Sequence, residues 1–131
     1  MPNLDVIAGY TLANTRNVSS PSTQGQAYDG ETPQHLFKIW STYRFTQGPL
    51  EGFTLGGGAY FQSSTYRTTS YVQGGYTVFS AKLGYQFNRY LSADLSFDNL
   101  FDKQYFARAP YTIYSEYGAP RSVMLTLRAT Y

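Results

Sequence analysis

The sequence predicts an all-β chain, an antiparallel segment of a transmembrane β-barrel with six up-and-down strands. Aromatic residues, including 14 Tyr and 9 Phe, make up 18% of the 131 residues, and charged residues make up only 14%. Soluble domains usually contain about 25% charged residues. Apolar and polar residues also alternate with period two through six runs, a pattern typical of strands with one apolar and one polar face.

The six runs share one design. Every second position is apolar, aromatic or glycine, with Ser41 and Asn99 as the polar exceptions, and the intervening positions are mostly polar. The predicted strands cover residues 4–12, 37–45, 53–61, 79–87, 91–99 and 123–131. The charged residues assigned to the barrel interior are Lys38, Arg44, Lys82, Asp94, Asp98 and Arg128.

Phenylalanine spacing on the apolar faces fits a membrane. Three strands carry pairs of Phe eight positions apart, and eight steps along a tilted strand rise roughly 20 Å, close to the ~25 Å apolar band between aromatic girdles. A soluble sandwich or lipocalin-like barrel also alternates but usually has shorter strands, and it remains the alternative fold. The aromatics assigned to the membrane belts are Phe37, Phe45, Phe53, Phe61, Phe79, Phe87, Phe101, Tyr105 and Tyr131.

The connections alternate in length. Residues 46–52 and 88–90 form short turns, whereas residues 14–34, 62–78 and 100–122 form long connections. Bacterial outer-membrane barrels have short periplasmic turns and long outer loops, so this pattern predicts an outer-membrane location. Six strands are too few for a roomy closed barrel, and open edges in lipid are costly. We therefore expect the segment to belong to a larger barrel and not to insert alone.

Composition excludes several function classes. The net charge of +2 comes from scattered residues without a basic run, so no nucleic-acid partner is predicted. The absence of cysteine excludes disulfides and thiolate metal sites. The single histidine, His35, lies at a strand end without a catalytic partner nearby, so no metal site and no enzyme activity are predicted.

Hairpin geometry predicts two contacts on the polar face. The turn between the fourth and fifth strands places Lys82 diagonal to Asp94 and Asp98, which favours ion pairing over a catalytic carboxylate pair. The turn between the second and third strands places Trp40 over Gly58, an arrangement in which an aromatic ring covers a glycine.

The last third of the chain carries a family resemblance. "NLFDKQY" (Asn99 to Tyr105), followed by "YGAPR" (Tyr117 to Arg121) and a strand ending in Tyr131, resembles the C-terminal end of TonB-dependent ferric-siderophore receptors. The resemblance implies a 22-stranded barrel in which residues 1–131 form the C-terminal part, without the N-terminal plug domain. Arg44 and Arg128 on the interior face are expected to contact either that plug or water.

The resemblance further implies a partner set. It comprises outer-membrane lipid, the plug and the remaining barrel strands, the TonB complex through the plug, and a ferric siderophore as the transported ligand, with no covalently bound cofactor. The segment alone is expected to be inactive. A segment of a plug-free outer-membrane pore or adhesin barrel stays open as the alternative function.

One loop is a candidate siderophore-contacting site. The resemblance implies aromatic and arginine contacts, and such side chains suit anionic, ring-bearing chelates. The candidate residues are Arg108, Tyr111, Tyr114, Tyr117 and Arg121.

Overall fold

The structure, a computed structural model, describes residues 3–19, 21–26, 30–68, 71–108 and 115–131. Six strands form one antiparallel sheet in the order β1-β2-β3-β6-β7-β8, and β4 and β5 form a separate hairpin. The strands are β1 Leu4–Leu12, β2 His35–Arg44, β3 Phe53–Gln62, β4 Thr65–Thr68, β5 Tyr71–Gln73, β6 Tyr76–Gln86, β7 Leu91–Asp98 and β8 Ser122–Ala129. In this part of the chain, no helix is long and apolar enough to cross a membrane.

The predicted strands are confirmed, with ends shifted by at most three residues. The largest shift is at β6, which begins at Tyr76 rather than at residue 79; β2 begins two residues early, at His35, and β8 ends two residues early, at Ala129. The β4–β5 hairpin lies inside the predicted long connection 62–78 and was not expected. Its strands have four and three residues, too few for alternation to reveal them.

The register keeps the two faces separate. One row crosses all six large strands on the apolar face and contains Val6, Ser41, Gly57, Ala81, Phe97 and Val123. The adjacent row on the polar face contains Asp5, Thr42, Gly56, Lys82, Ser96 and Met124. Because a slip of one residue would exchange the faces of a strand, this register follows directly from the alternation in the sequence.

The sheet has no hydrophobic core of its own. Tyr76, at 7% exposure, is the one buried hydrophobic side chain among the described residues, and large apolar side chains such as Leu55, Phe87 and Leu127 are more than half exposed. A lipocalin-like fold would close its sheet around the apolar face, but β1 and β8 are not paired with each other. The exposed apolar face therefore favours the membrane barrel over the soluble alternative.

The two short turns lie at one end of the sheet. In the β2–β3 turn, Gly48 and Gly52 have φ values of 82° and 89°, a conformation that favours glycine. In the β6–β7 turn, the side-chain oxygen of Asn88 accepts hydrogen bonds from the backbone N–H groups of Tyr90 and Leu91, at 2.8 and 2.9 Å. The three long connections and the β4–β5 hairpin therefore lie at the opposite end, which we call the loop end.

Candidate functional site

At the loop end, Asn99 joins the two arms of the β7–β8 connection. Its side chain is only 3% exposed, and its amide group forms three hydrogen bonds. The Nδ2 group donates to the carbonyl oxygens of Lys103 and Ala119, at 2.9 and 3.0 Å, and Oδ1 accepts from the Lys103 N–H at 2.7 Å. One buried side chain thus connects positions that are 20 residues apart.

Asp102 adds a second tie between the same arms. Its carboxylate accepts a hydrogen bond from the backbone N–H of Arg121 at 3.0 Å, and its own N–H donates to the Asn99 carbonyl at 2.8 Å. Asn99 and Asp102 have φ values of 49° and 51°, a left-handed conformation that Asn and Asp tolerate better than most residues. We call this group of residues the Asn99 latch: Asn99, Asp102, Lys103, Ala119 and Arg121.

Beyond the latch, the two arms continue as a short ladder. The Gly118 N–H donates to the Tyr105 carbonyl and the Ala107 N–H to the Glu116 carbonyl, both at 2.8 Å. Between these bonds, the rings of Phe106 and Tyr117 stack with centroids 4.7 Å apart. A Cβ atom at position 118 would overlap the Tyr105 ring, which explains why glycine lies there. The two halves of the sequence motif, 99–105 and 117–121, are therefore one packed unit.

Three tyrosines cluster on the polar face beside this ladder. Tyr105 stacks on Tyr76 with centroids 4.3 Å apart, and Tyr76 lies 6.2 Å from Tyr60. Tyr60 donates a hydrogen bond to Gln62 at 2.8 Å, and Lys38 Nζ lies 5.3 Å from the Tyr60 ring centroid.

The assignment of Tyr105 to a membrane belt on the apolar face is therefore wrong. It assumed that the alternation of β7 continues past Asn99, but Tyr76, on which Tyr105 stacks, pairs with Gln62 on the polar face. The left-handed residues Asn99 and Asp102 break the period of two. Phe101 keeps its expected side, since it is 71% exposed and its ring packs edge-on against Phe79 at 5.4 Å.

A pocket of about 400 Å³ opens where the ladder meets the sheet, and we call it the loop pocket. Arg108 of the candidate siderophore loop lies in its wall, opposite residues of the polar face of β2 and β3. Its lining residues are Glu31, Thr32, Pro33, Leu36, Tyr60, Gln62, Thr65, Phe106, Ala107 and Arg108. Tyr60 and Gln62 were not predicted as site residues, because they lie far from Arg108 along the chain; Phe106 was not predicted either, although it precedes Arg108 by two positions.

Of the other described candidate residues, Tyr117 and Arg121 do not line this pocket. Tyr117 stacks on Phe106, and the backbone of Arg121 belongs to the latch. Tyr111 and Tyr114 lie outside the described residues. Among the described candidate residues, Arg108 is the one that lines a pocket with residues of the polar face.

The charged residues predicted for the interior all occupy polar-face positions of the register: Lys38, Arg44, Lys82, Asp94, Asp98 and Arg128. The expected ion pair is confirmed for Asp94, whose Oδ1 lies 3.1 Å from Lys82 Nζ. Asp98 instead lines a second pocket beside Trp40. The predicted position of Trp40 opposite Gly58 is also confirmed, and the indole covers Gly56 as well.

Aromatic rings gather at both ends of the apolar face. Near the short turns, the rings of Phe53 and Tyr85 lie 4.4 Å apart, and Phe87 packs edge-on against Tyr85 at 4.8 Å. At the loop end, the Tyr10 hydroxyl lies 2.7 Å from His35 Nδ1. No group of three His, Cys, Asp or Glu residues suited to a metal ion occurs in the described part of the chain.

Together, an open amphipathic sheet with long strands and a pocket among its loops define a segment of a transmembrane barrel. Residues 3–100 match the family model described as TonB dependent receptor-like, beta-barrel. The chain belongs to this family, whose barrels lie in the outer membrane of Gram-negative bacteria.

Similar proteins cover nearly the whole chain. The ferric-pyoverdine M114 receptor PbuA of Pseudomonas sp. (strain M114) is 34% identical over 98% of this chain and 16% of that receptor. The catecholate siderophore receptor Fiu of Escherichia coli (strain K12) is 34% identical over 95% of this chain and 17% of that receptor.

Solved structures of this family share the fold. FpvA of P. aeruginosa bound to a heterologous ferric pyoverdine superposes with a TM-score of 0.87 at 28% identity, over 98% of this chain and 18% of FpvA. The closed form of the ferric-catecholate import receptor Fiu from E. coli K12 gives a TM-score of 0.75 at 32% identity, over 98% of this chain and 19% of Fiu. The chain thus spans less than a fifth of these relatives.

Proposed function

We propose that residues 1–131 form the C-terminal six strands and last outer loop of a receptor barrel that takes up ferric siderophores in a TonB-dependent manner. The observation that carries this proposal is the match of nearly the whole chain to ferric-pyoverdine and catecholate siderophore receptors. The remaining strands, the plug domain and the segment that contacts TonB belong to other parts of such a receptor. The ferric siderophore is its transported ligand, no cofactor is covalently bound, and the segment has no catalytic role.

The loop pocket is the proposed contribution of this segment to siderophore binding. Arg108 lines it together with Phe106, Tyr60, Gln62 and Glu31, so one cation, one carboxylate, aromatic faces and an amide meet at one opening. Anionic chelates with aromatic rings can be bound by such groups through charge-assisted hydrogen bonds and cation–π contacts. Tyr111, Tyr114, Tyr117 and Arg121 remain candidate contacts from the same loop.

The two faces of the sheet have separate proposed roles. Family barrels place the short turns in the periplasm, so the loop end faces outward. The belt aromatics other than Tyr105 contact lipid at the membrane interfaces. The charged residues of the polar face line the lumen, where they contact the plug or water.

The test is uptake by a chimeric receptor in which residues 1–131 replace the aligned segment of the M114 receptor. We expect energised uptake of a ferric siderophore by the chimeric receptor in cells that lack their own receptors for it, and no uptake by the segment alone. An assembled chimeric receptor that neither binds nor imports ferric pyoverdine or ferric catecholates would contradict the proposal.

Substitution of Arg108 tests the pocket. Arg108→Ala in the chimeric receptor should weaken ferric-siderophore binding by roughly ten- to a hundredfold, since a hydrogen bond to a charged group contributes roughly 1.5–3 kcal/mol. Arg89→Ala is the matched control, because Arg89 lies in the β6–β7 turn at the other end of the sheet, over the Tyr90 ring at 4.6 Å. Equal affinities of the two variants would remove Arg108 from the site.

A further inference from the structure

The Asn99 latch closes the base of the last outer loop. Oxygen and nitrogen of one buried amide bind both arms of the connection, through Lys103 and Ala119. Asp102 repeats the connection through the Arg121 N–H. Burial at 3% exposure excludes water as a competitor for these bonds, so their loss leaves unpaired buried carbonyl and N–H groups.

The latch fixes the direction in which the loop leaves the sheet. From the latch, the ladder runs through Tyr105 and Phe106 to Ala107. Arg108 is therefore only five positions beyond Lys103 in the chain. A further bond, from the Phe106 N–H to Gln73 Oε1 at 3.1 Å, holds the ladder against β5. The position of Arg108 in the loop pocket is thus set at the base of the loop.

We propose that Asn99 and Asp102 are positioning residues for ferric-siderophore binding, a role that rests on the function proposed above. They hold the two loop arms together before the ligand arrives, so that Phe106 and Arg108 already stand beside the polar face of β2 and β3. Pre-ordering of this kind strengthens binding, because association then carries no further entropic cost for ordering the loop. Neither residue needs to touch the ligand.

Asn99→Gly in the chimeric receptor is the main test. Glycine adopts the left-handed backbone at this position without strain, so the variant removes the amide bonds and leaves the turn. We expect binding of the ferric siderophore that the chimeric receptor takes up to weaken on the order of tenfold. Asn88→Gly is the matched control: Asn88 also accepts two backbone N–H groups, but in the β6–β7 turn, and its loss should leave affinity unchanged.

A double substitution separates positioning from general damage. Because the latch acts through the placement of Arg108, Asn99→Gly should cause little further loss of affinity in the Arg108→Ala background. The proposal would be overturned if the double variant, at wild-type thermal stability, lost affinity by the product of the two single losses. Unchanged affinity in Asn99→Gly alone would also overturn it.

Two further variants keep the test decisive if Asn99→Gly fails to assemble. Asp102→Gly keeps the left-handed backbone but removes the acceptor for the Arg121 N–H, so it should weaken binding. Asp102→Asn keeps an acceptor oxygen and should restore wild-type affinity. The same low affinity in both Asp102 variants would contradict the role of this tie.

The rate of tryptic cleavage after Arg108 measures how well the latch holds the loop in the absence of ligand. We expect faster cleavage at this bond in the unliganded Asn99→Gly receptor than in the Asn88→Gly receptor, because only the first variant opens the base of the loop. If the chimeric receptor binds no ferric siderophore, the proposed function fails, and the cleavage rates still decide whether the latch holds the loop. Equal rates would refute the latch itself.

Discussion

Gly58→Ala should destabilise the barrel strongly, whereas Gly57→Ala should not. A Cβ atom on Gly58 would overlap the backbone carbonyl of Ile39 and lie 2.5 Å from the Trp40 ring, while a Cβ on Gly57 has its nearest neighbour at 3.9 Å. The first contact involves backbone, so β2 and β3 must separate locally to admit the methyl group. Overpacking of this kind costs about 1–3 kcal/mol of unfolding free energy.

Urea unfolding of the refolded chimeric receptor in lipid vesicles, followed by the mobility shift of the folded barrel on cold SDS gels, measures this cost. Gly56→Ala provides an intermediate case, because its Cβ would lie 2.9 Å from Trp40 and 3.4 Å from the Lys82 side chain, both of which can rotate away. Trp40→Ala should therefore restore more of the stability lost in Gly56→Ala than of the stability lost in Gly58→Ala. Equal unfolding midpoints for the Gly57 and Gly58 variants would refute the reasoning.

Two further predictions concern the barrel wall. Phe101→Asp should lower the folded fraction, because it removes an aromatic pair with Phe79 worth roughly 0.5–1.5 kcal/mol and places a charge on the apolar face. Asp102→Asn should change the folded fraction little. Equal effects of the two substitutions in the same gel assay would contradict the lipid-facing placement of Phe101. The side chains of Lys82 and Asp94 are 40% and 29% exposed, so a double-mutant cycle to alanine, measured by urea unfolding, should give a coupling energy of about 0.2–1 kcal/mol. A coupling energy above ~2 kcal/mol would show that water does not screen this ion pair, contrary to its exposure.

The sheet could be predicted from the sequence because one rule governs it. Alternation fixes which side chains share a face, and the short turns then fix the register. The contacts of Trp40 with Gly58 and of Lys82 with Asp94 follow from these two facts alone. Both contacts lie within hairpins, where the distance along the chain is small.

The loop end could not be predicted in the same way. Two left-handed residues, Asn99 and Asp102, end the alternation and turn Tyr105 toward the polar face. The contact that gives Asn99 its role, the bond to the Ala119 carbonyl, joins positions 20 residues apart, and no periodicity connects them. The available signals were the Asn and Asp three positions apart, both tolerant of left-handed backbone, and a glycine beside Tyr117.

The edges of the sheet explain why this segment needs a larger barrel. All nine residues of β1 and all eight of β8 are exposed, and within the described residues each of these strands has a partner on one side only. Along an antiparallel edge about half of the backbone groups point outward. Each unpaired group in lipid costs several kcal/mol, so two such edges together cost tens of kcal/mol, more than the 5–15 kcal/mol that stabilises a typical folded domain. Pairing of β1 and β8 with further strands therefore decides whether the sheet exists in a membrane at all, and a substitution within it changes the stability of the whole barrel.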